Sequence, residues 1–291
     1  MENYEFSIIS IFFGLDYMNV IPIKTDYLEA NEGYEKLVNF IVKDIQEGDL
    51  VVISETPIST CEGNLVDESE YEAGFLSILI TELWCKYLWG YLFGRIFNIG
   101  ERTIHNLRNM PREARKHKEF ILKRYGLKYA LQPTAEAGVD LSNVPSQYVS
   151  LLPENPDKSV FEIKRLIHEK SSKNVEVMVI DTDATYKFRK TYFTTLPISV
   201  KNIKNDTAFL GFVLRSFTRK VGATPLACTK DMSIDSMIRL ANIAEKCQRD
   251  NSEDFFETVY NMGDAFSSNV DEISVEMLKS VTHIPAVIIR L

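Results

Sequence analysis

The sequence predicts an α+β fold, mixed β-sheets with packed helices, and three observations carry that reading. Short β-branched runs such as Leu50-Val51-Val52-Ile53 are of buried-strand type. Between such runs lie amphipathic stretches, as in Tyr34, Leu37, Val38, Ile41, Val42 and Ile45, whose i, i+3, i+4, i+7 spacing marks one helical face. At 291 residues, 45% of them apolar and 25% charged, the chain is long enough for one large or two medium cores.

Taken in order, Asn19 to Lys24 reads as a strand, Asn31 to Ile45 as a helix broken by Gly48-Asp49, and Leu50 to Ile53 as a second strand, so the chain opens β, α, β. Ala73 to Phe97 is the most apolar stretch. Glu82, Lys86 and Arg95 within it would put charge at several bilayer depths, so no membrane span is expected. Eight of the 23 residues from Arg102 to Arg124 are Lys or Arg. The expectation is a buried or dimer-facing helix followed by a solvated basic helix; peripheral membrane contact, or a basic wall facing an anionic ligand, is the alternative. A loop from Gln132 to Pro145 contains Gly138. Tyr148 to Leu152 then reads as a strand, Pro156 to Lys170 as a helix with Val160, Ile163 and Ile167 inward, and Val175 to Ile180 as a buried strand ending at Asp181. Asp183 to Asp206 has only a weak strand-and-loop pattern. Met237 to Cys247 marks one helix, Phe255, Phe256 and Val259 another, and Pro285 to Arg290 a closing strand. Gly222 and Gly263 read as turn or helix-end glycines. Residues 1–291 are expected to form a single unit of two lobes, about 1–70 plus 126–291 as the core and 71–125 as the apolar and basic helices.

A net charge of -8 argues against a general nucleic-acid binder, which needs a basic surface to displace counterions. Cys61, Cys85, Cys228 and Cys247 are too scattered for a disulfide framework or a zinc site, and a reducing cytoplasm fits best. The opening Met1-Glu2-Asn3-Tyr4-Glu5 carries acid where an export signal would carry base. His105, His117, His168 and His283 are isolated in the sequence and read as surface or capping groups, so no nucleophilic triad is expected.

The informative constellation is Asp140, on the loop around Gly138, with Asp181 and Thr182 at the carboxyl end of a buried strand, where ligand sites of α/β architectures gather. Carboxylate and hydroxyl oxygens suit a hard cation such as Mg²⁺ or Mn²⁺ bound against substrate phosphates. Asn143 could hold a base or ribose through its amide. The bland alternative for Asp140 is a turn former that caps backbone N–H groups.

Ala137-Gly138-Val139-Asp140-Leu141-Ser142-Asn143-Val144, Leu151-Leu152-Pro153-Glu154-Asn155-Pro156-Asp157 and the strand ending in Asp181-Thr182 resemble the coenzyme F420-0:L-glutamate ligases, also called F420-0:γ-glutamyl ligases. Ile21-Pro22-Ile23-Lys24, Gly48 to Ser54, Ser59-Thr60-Cys61-Glu62-Gly63 and Ile284 to Arg290 look like further family segments in the same order. The resemblance implies a GTP-dependent, Mn²⁺- or Mg²⁺-dependent ligase that activates a carboxylate of the lactyl-phospho-deazaflavin F420-0 as an acyl phosphate, which the amine of L-glutamate attacks. It implies that Asp140 and Asp181 ligate one metal, that Thr182 belongs to a second, that Asn143 and Ile21, Pro22, Ile23 and Lys24 contact the nucleotide, and that the chain forms a homodimer, giving the Ala73 to Phe97 stripe a burial site.

Departures from the family pattern are specific. The family carries a nucleotide-contacting lysine where Thr60 stands, and threonine cannot supply that charge. Asp183 adds an acid where the family continues with Gly-Arg. The glycine-rich stretch with a metal-binding Glu before the last strand is missing, and Glu276 lies nearby in a helical context. The second hypothesis is therefore a diverged, non-ligase member that binds a metal and a different phosphorylated small molecule; Lys24 or the basic run from Arg102 to Arg124 could restore the phosphate contact.

Overall fold

The computed structural model describes residues 9–13, 16–252, 262, 265–268 and 272–290, with side chains from Met18 onward. The helix expected around Phe255, Phe256 and Val259, and Gly263, lie outside the described residues. The strands are β1 (Ile9–Phe13), β2 (Asp16–Thr25), β3 (Leu50–Ser54), β4 (Leu65–Asp67), β5 (Tyr148–Ser150), β6 (Glu176–Phe188), β7 (Thr191–Thr194), β8 (Ile203–Lys204), β9 (Arg219–Cys228) and β10 (His283–Arg290). The main sheet runs β1-β2-β10-β3-β6-β7-β8, with β9 also paired to β6; β4 and β5 form a separate ribbon. Parallel pairing joins β3 to β6 and β7 to β8, and the other pairs are antiparallel, so the sheet is mixed and the fold α+β as expected.

The apolar runs are apolar because both faces of the sheet are covered. Val51 and Ile53 of β3, Val177 and Val179 of β6, and Ala286 and Ile288 of β10 point into one core. It is closed by helices α1 (Glu35–Ile41), α2 (Glu55–Glu62) and α8 (Pro156–Ser171). Leu50, Val52, Met178, Ile180, Val287 and Ile289 point the other way, against α10 (Ile234–Asn251). Arg290 clamps the edge of this arrangement, its Nε and Nη2 each donating at 2.9 Å to an oxygen of the buried Asp49. Helix α1 is shorter than the sequence pattern because Asn31 and Gly33 hold left-handed backbone (φ 65° and 68°), which delays its start. Helix α8 matches its pattern, with Asn155 capping it by accepting from the Lys158 N–H at 3.0 Å.

A further hydrophobic cluster is built from residues between 80 and 151 together with Ala208 and Phe212 of α9 (Ala208–Leu214). The apolar stretch forms α3 (Phe75–Leu79), wide π-helical turns over Ile80–Phe93, and α4 (Gly94–Ile96). Ile80, Cys85 and Trp89 face the cluster, while Phe75, Leu79, Leu83, Tyr87, Leu92 and Ile96 are among the apolar side chains that stand exposed. No helix among the described residues is long and apolar enough to cross a membrane. The basic run forms α5 (Glu101–Arg108) and α6 (Ala114–Tyr125), with α7 (Leu127–Ala130) after them. A last short helix, α11 (Val275–Lys279), leads into β10.

Two expectations are corrected. The strand expected to end at Asp181 continues to Phe188, because the apolar run stops where burial on the β3 side stops, while the backbone goes on pairing with β9. Gly222 is not a turn glycine. It lies in β9 at φ 143°, where a Cβ would meet the Asn242 amide at 1.8 Å, and that amide accepts from the Ala223 N–H and donates to the Val221 carbonyl.

Candidate functional site

Strand β6 is flanked on one edge by two strands that do not meet. Its partner β3 pairs only as far as Ser54 opposite Ile180, and β7 joins only from Thr194 opposite Thr185. On the other edge the register with β9 slips between Asp181 and Ala184, so Thr182 and Asp183 form a bulge. The gap opens beside the carboxyl end of β3, where the chain turns into α2 at Glu55. Parallel register makes Glu55 and Asp181 the next residues on two adjacent strands, which lie about 4.8 Å apart. Asp140 comes from a third direction, its loop tied to β5 by reciprocal backbone bonds between Asp140 and Ser150 of 2.9 and 2.8 Å.

The result is a knot of acids at the wall of a cleft of about 1270 Å³ lined by Glu55, Asp140, Asn143, Asp181, Thr182 and Asp183 among others. Asp140 Oδ1 accepts from the Ser142 N–H at 2.8 Å, and Oδ2 accepts from the hydroxyls of Ser142 at 2.7 Å and Thr56 at 3.3 Å. The turn-forming role and the site role thus coincide in one carboxylate. Asp181 Oδ1 accepts only the bulge N–H of Asp183, at 2.6 Å, among the bonds described. Burial, then the charges of Glu55 and Asp183, push the Asp181 carboxyl well above its ordinary range. Burial and then Asp140 raise Glu55; burial and Asp140 raise Asp183 too, with Arg215 and Lys220 pulling the other way. For Asp140 itself burial outweighs its hydrogen bonds. Four acids that resist ionising beside one another are what a hard cation would relieve.

Tested against a divalent metal, the donors fit in kind: oxygens only, lining a cleft, with Glu55 and Asp181 buried, Asp140 and Asp183 half-buried and Thr182 exposed. Among the described residues no three acidic, histidine or cysteine side chains are gathered closely enough to grip an ion as they stand.

Of the residues singled out in the sequence, Asp140, Asn143, Asp181 and Thr182 share this cleft. Asn143 holds left-handed backbone (φ 58°) and donates from Nδ2 to Ser142 Oγ at 3.2 Å. Ile21, Pro22, Ile23 and Lys24 do not line it: Ile23 is buried in the core beneath β2, and Lys24 borders a separate shallow concavity with Phe40 and Lys279. Glu276 is exposed on α11 and outside the cleft lining. Glu55 had no sequence signal, since an acid in the first turn of a helix is ordinarily there for the helix dipole.

A family model described as F420-0:Gamma-glutamyl ligase matches residues 22–252. The chain belongs to the F420-0:γ-glutamyl ligase family. It is 37% identical to the uncharacterized protein MJ1361 of Methanocaldococcus jannaschii, over 94% of this chain and 97% of that protein. It is 31% identical to the coenzyme F420:L-glutamate ligase of Methanopyrus kandleri over 48% of this chain and 49% of that enzyme. To a ligase of the same name from Methanococcus maripaludis it is 29% identical, over 57% of this chain and 60% of that one. The chain thus matches only about half to three-fifths of these two ligases.

Where the family carries a lysine, Thr60 borders the cleft but is neutral and buried, its hydroxyl donating to the Thr56 carbonyl at 2.9 Å. Cations line the cleft from elsewhere: Arg102 and Lys116 of the basic run, Lys220 of β9 and Arg249 of α10. Nor is the basic run uniformly solvated. Lys118 is fully buried, paired with Glu136 and donating to the carbonyls of Ala130 and Gln132. His117, read from sequence as a surface or capping group, is buried at the cleft wall, its Nδ1 2.7 Å from Glu68 Oε1 and its Nε2 3.9 Å from Glu136 Oε2, the latter an ion pair rather than a hydrogen bond. Burial disfavours the imidazolium, but Glu68 and Glu136 outweigh it and raise His117 to about 10. Burial likewise opposes the Glu136 charge, and Lys118 and His117 outweigh it, bringing Glu136 down to about 2.

A raised histidine stabilises the fold fully below its unfolded value of 6.5, and that contribution is lost as pH rises towards 10. The stability advantage of the wild type over His117→Gln, followed by urea unfolding, is therefore expected to shrink between pH 6.5 and 10, by at most about 1.4 kcal/mol per pH unit. An advantage that stays constant across that window would show that His117 is not held as the cation.

Proposed function

We propose that the chain is a metal-dependent ligase that forms a γ-glutamyl-type amide on coenzyme F420-0 or a related phosphorylated small molecule, using GTP through an acyl phosphate. The observation that carries this reading is the meeting, in one cleft, of Asp140 and Asp181 with cations suited to phosphate. In that chemistry the γ-phosphoryl group passes to a carboxylate oxygen of the acceptor, releasing GDP; the glutamate nitrogen then attacks the acyl carbon, and phosphate leaves as the C–N bond forms.

Phosphoryl transfer is mostly positioning and charge neutralisation. Asp140 and Asp181 would hold Mn²⁺ or Mg²⁺, with Thr182 at a second ion, and bound metal would supply neutralisation of the phosphate charge. Arg102, Lys116 and Lys220 would take the phosphates that the family's missing lysine would otherwise meet. Asn143 would meet the base or ribose. The contact assigned by resemblance to Ile21, Pro22, Ile23 and Lys24 would come through the Thr25 end of β2, which borders the cleft. The cleft is read as lying between the two lobes.

The neutral Thr60 at the cleft wall, its hydroxyl already bonded to the Thr56 carbonyl, favours a second reading, a family member that binds a metal and a different phosphorylated small molecule. Calorimetric titration of GTP into the protein with Mn²⁺ present separates the two. The ligase reading expects binding that weakens at least about tenfold, 1.4 kcal/mol, in both Asp140→Ala and Asp181→Ala; absence of GTP binding by the wild type would sink it and favour the second.

We also propose that the exposed stripe from Phe75 to Ile96 is buried against a second copy. The expected solution mass by light scattering is twice the 33.4 kDa of the chain, and a monomer at micromolar concentration would contradict it.

A further inference from the structure

We propose that Glu55 is an additional ligand of the divalent-cation site, completing with Asp140, Asp181 and Asp183 a four-carboxylate set on this chain. The proposal rests on the metal reading above and goes beyond it by replacing the family's missing late glutamate with a residue from a different element.

The decisive atom is Glu55 Oε2. The residue is 6% exposed, and Oε2 has no hydrogen-bond partner among the described residues, whereas Oε1 accepts from the Thr56 hydroxyl at 3.0 Å. Ionised, Oε2 is a buried anion without a donor; protonated, it is a buried hydroxyl without an acceptor. Neither form is satisfied, and buried polar atoms left so are costly. The groups that act on Glu55 electrostatically are Asp140 and Asp183, and Glu55 in turn acts on Asp181, so the orphaned oxygen belongs to the acid cluster and not to some unrelated part of the core.

Backbone geometry fixes the placement. Ser54 opposes Ile180 in the parallel pair, so Glu55 and Asp181 leave adjacent strands side by side. The Thr56 hydroxyl lies within reach of both Glu55 Oε1 and Asp140 Oδ2, at 3.0 and 3.3 Å, and so links the two carboxylates through one residue. Gln248 of α10 holds this strand end in place, its Nε2 donating at 2.9 Å both to Ser54 Oγ and to the Ile284 carbonyl. The donor set is all oxygen, which suits a hard divalent cation such as Mg²⁺ or Mn²⁺.

The test is Mn²⁺ alone, titrated into the intact protein and followed by electron paramagnetic resonance of the free ion, with the thermal midpoint recorded with and without Mn²⁺. Glu55→Gln keeps the shape of the side chain and removes its charge; the expected result is a loss of Mn²⁺ affinity of about tenfold or more, with a smaller Mn²⁺-induced rise in thermal midpoint. Asp183→Asn is expected to weaken binding in the same direction, and Glu276→Gln, exposed and outside the cleft, to leave it unchanged. Wild-type affinity in Glu55→Gln, with binding lost in Asp140→Ala, would overturn the role of Glu55 and leave the metal reading standing. No Mn²⁺ binding by the wild type would overturn both. Should Glu55→Gln fail to fold, Glu55→Asp, which keeps the charge and shortens its reach, supplies the same comparison.

Discussion

The cleft depends on one constraint in the main sheet: β6 must be long enough to pair with β3 at one end and with β7 at the other, on the same edge, with neither covering its middle. A continuous neighbour there would hydrogen-bond the backbone of residues 181–184 and bury their side chains against apolar partners. The interruption leaves an acid-bearing bulge exposed to a cavity, and the turn of the chain from β3 into α2 brings Glu55 to the same place. Active sites in open sheets form at such breaks because backbone and side chains there lack sheet neighbours.

Two groups of buried charge then take opposite roles. Lys118 and His117 pair with Glu68 and Glu136, cation against carboxylate. The network ties α6 to the loop that carries Asp140, since Glu136 lies four residues before it. Glu55, Asp140, Asp181 and Asp183 are a different case: they are all acidic, and the nearby cations Arg215 and Lys220 act on Asp183. Removing one partner from the first group leaves a buried charge uncompensated, typically costing about 3–5 kcal/mol. In the second group burial and neighbouring acids push the carboxyls towards the neutral form instead, and that contrast is the physical ground of the proposed metal site.

Much of the fold was legible in the sequence because burial on both faces of a sheet demands uninterrupted apolar runs, and β3, β6 and β10 supply them. Helix α8 carried its inward face, Val160, Ile163 and Ile167, in plain view. That Asp140 and Asp181 border one cleft was foreshadowed by a glycine-containing loop and by the end of an apolar run. The continuation of β6 was not: after Ile180 the side chains turn polar although the backbone keeps pairing, and pattern reading follows side chains. Gly222 was misread because its freedom serves a bulge facing Asn242, a partner 20 residues away. His117 and Lys118 were hidden in a basic run, where only the fold shows that acids from residues 68 and 136 reach them. Glu55 was hidden by a more ordinary explanation for an acid at a helix start.

The central claim is that the carboxylates beside the break in β6 bind a divalent metal that meets a nucleotide's phosphates. Diffraction from crystals soaked with Mn²⁺ and a non-hydrolysable GTP analogue, recorded at a wavelength where manganese scatters anomalously, tests it directly. The account predicts an anomalous peak within about 2.0–2.6 Å of oxygens of Asp140 and Asp181, with phosphate density on the same ion. A clean cleft, or manganese bound only elsewhere on the surface, would contradict it.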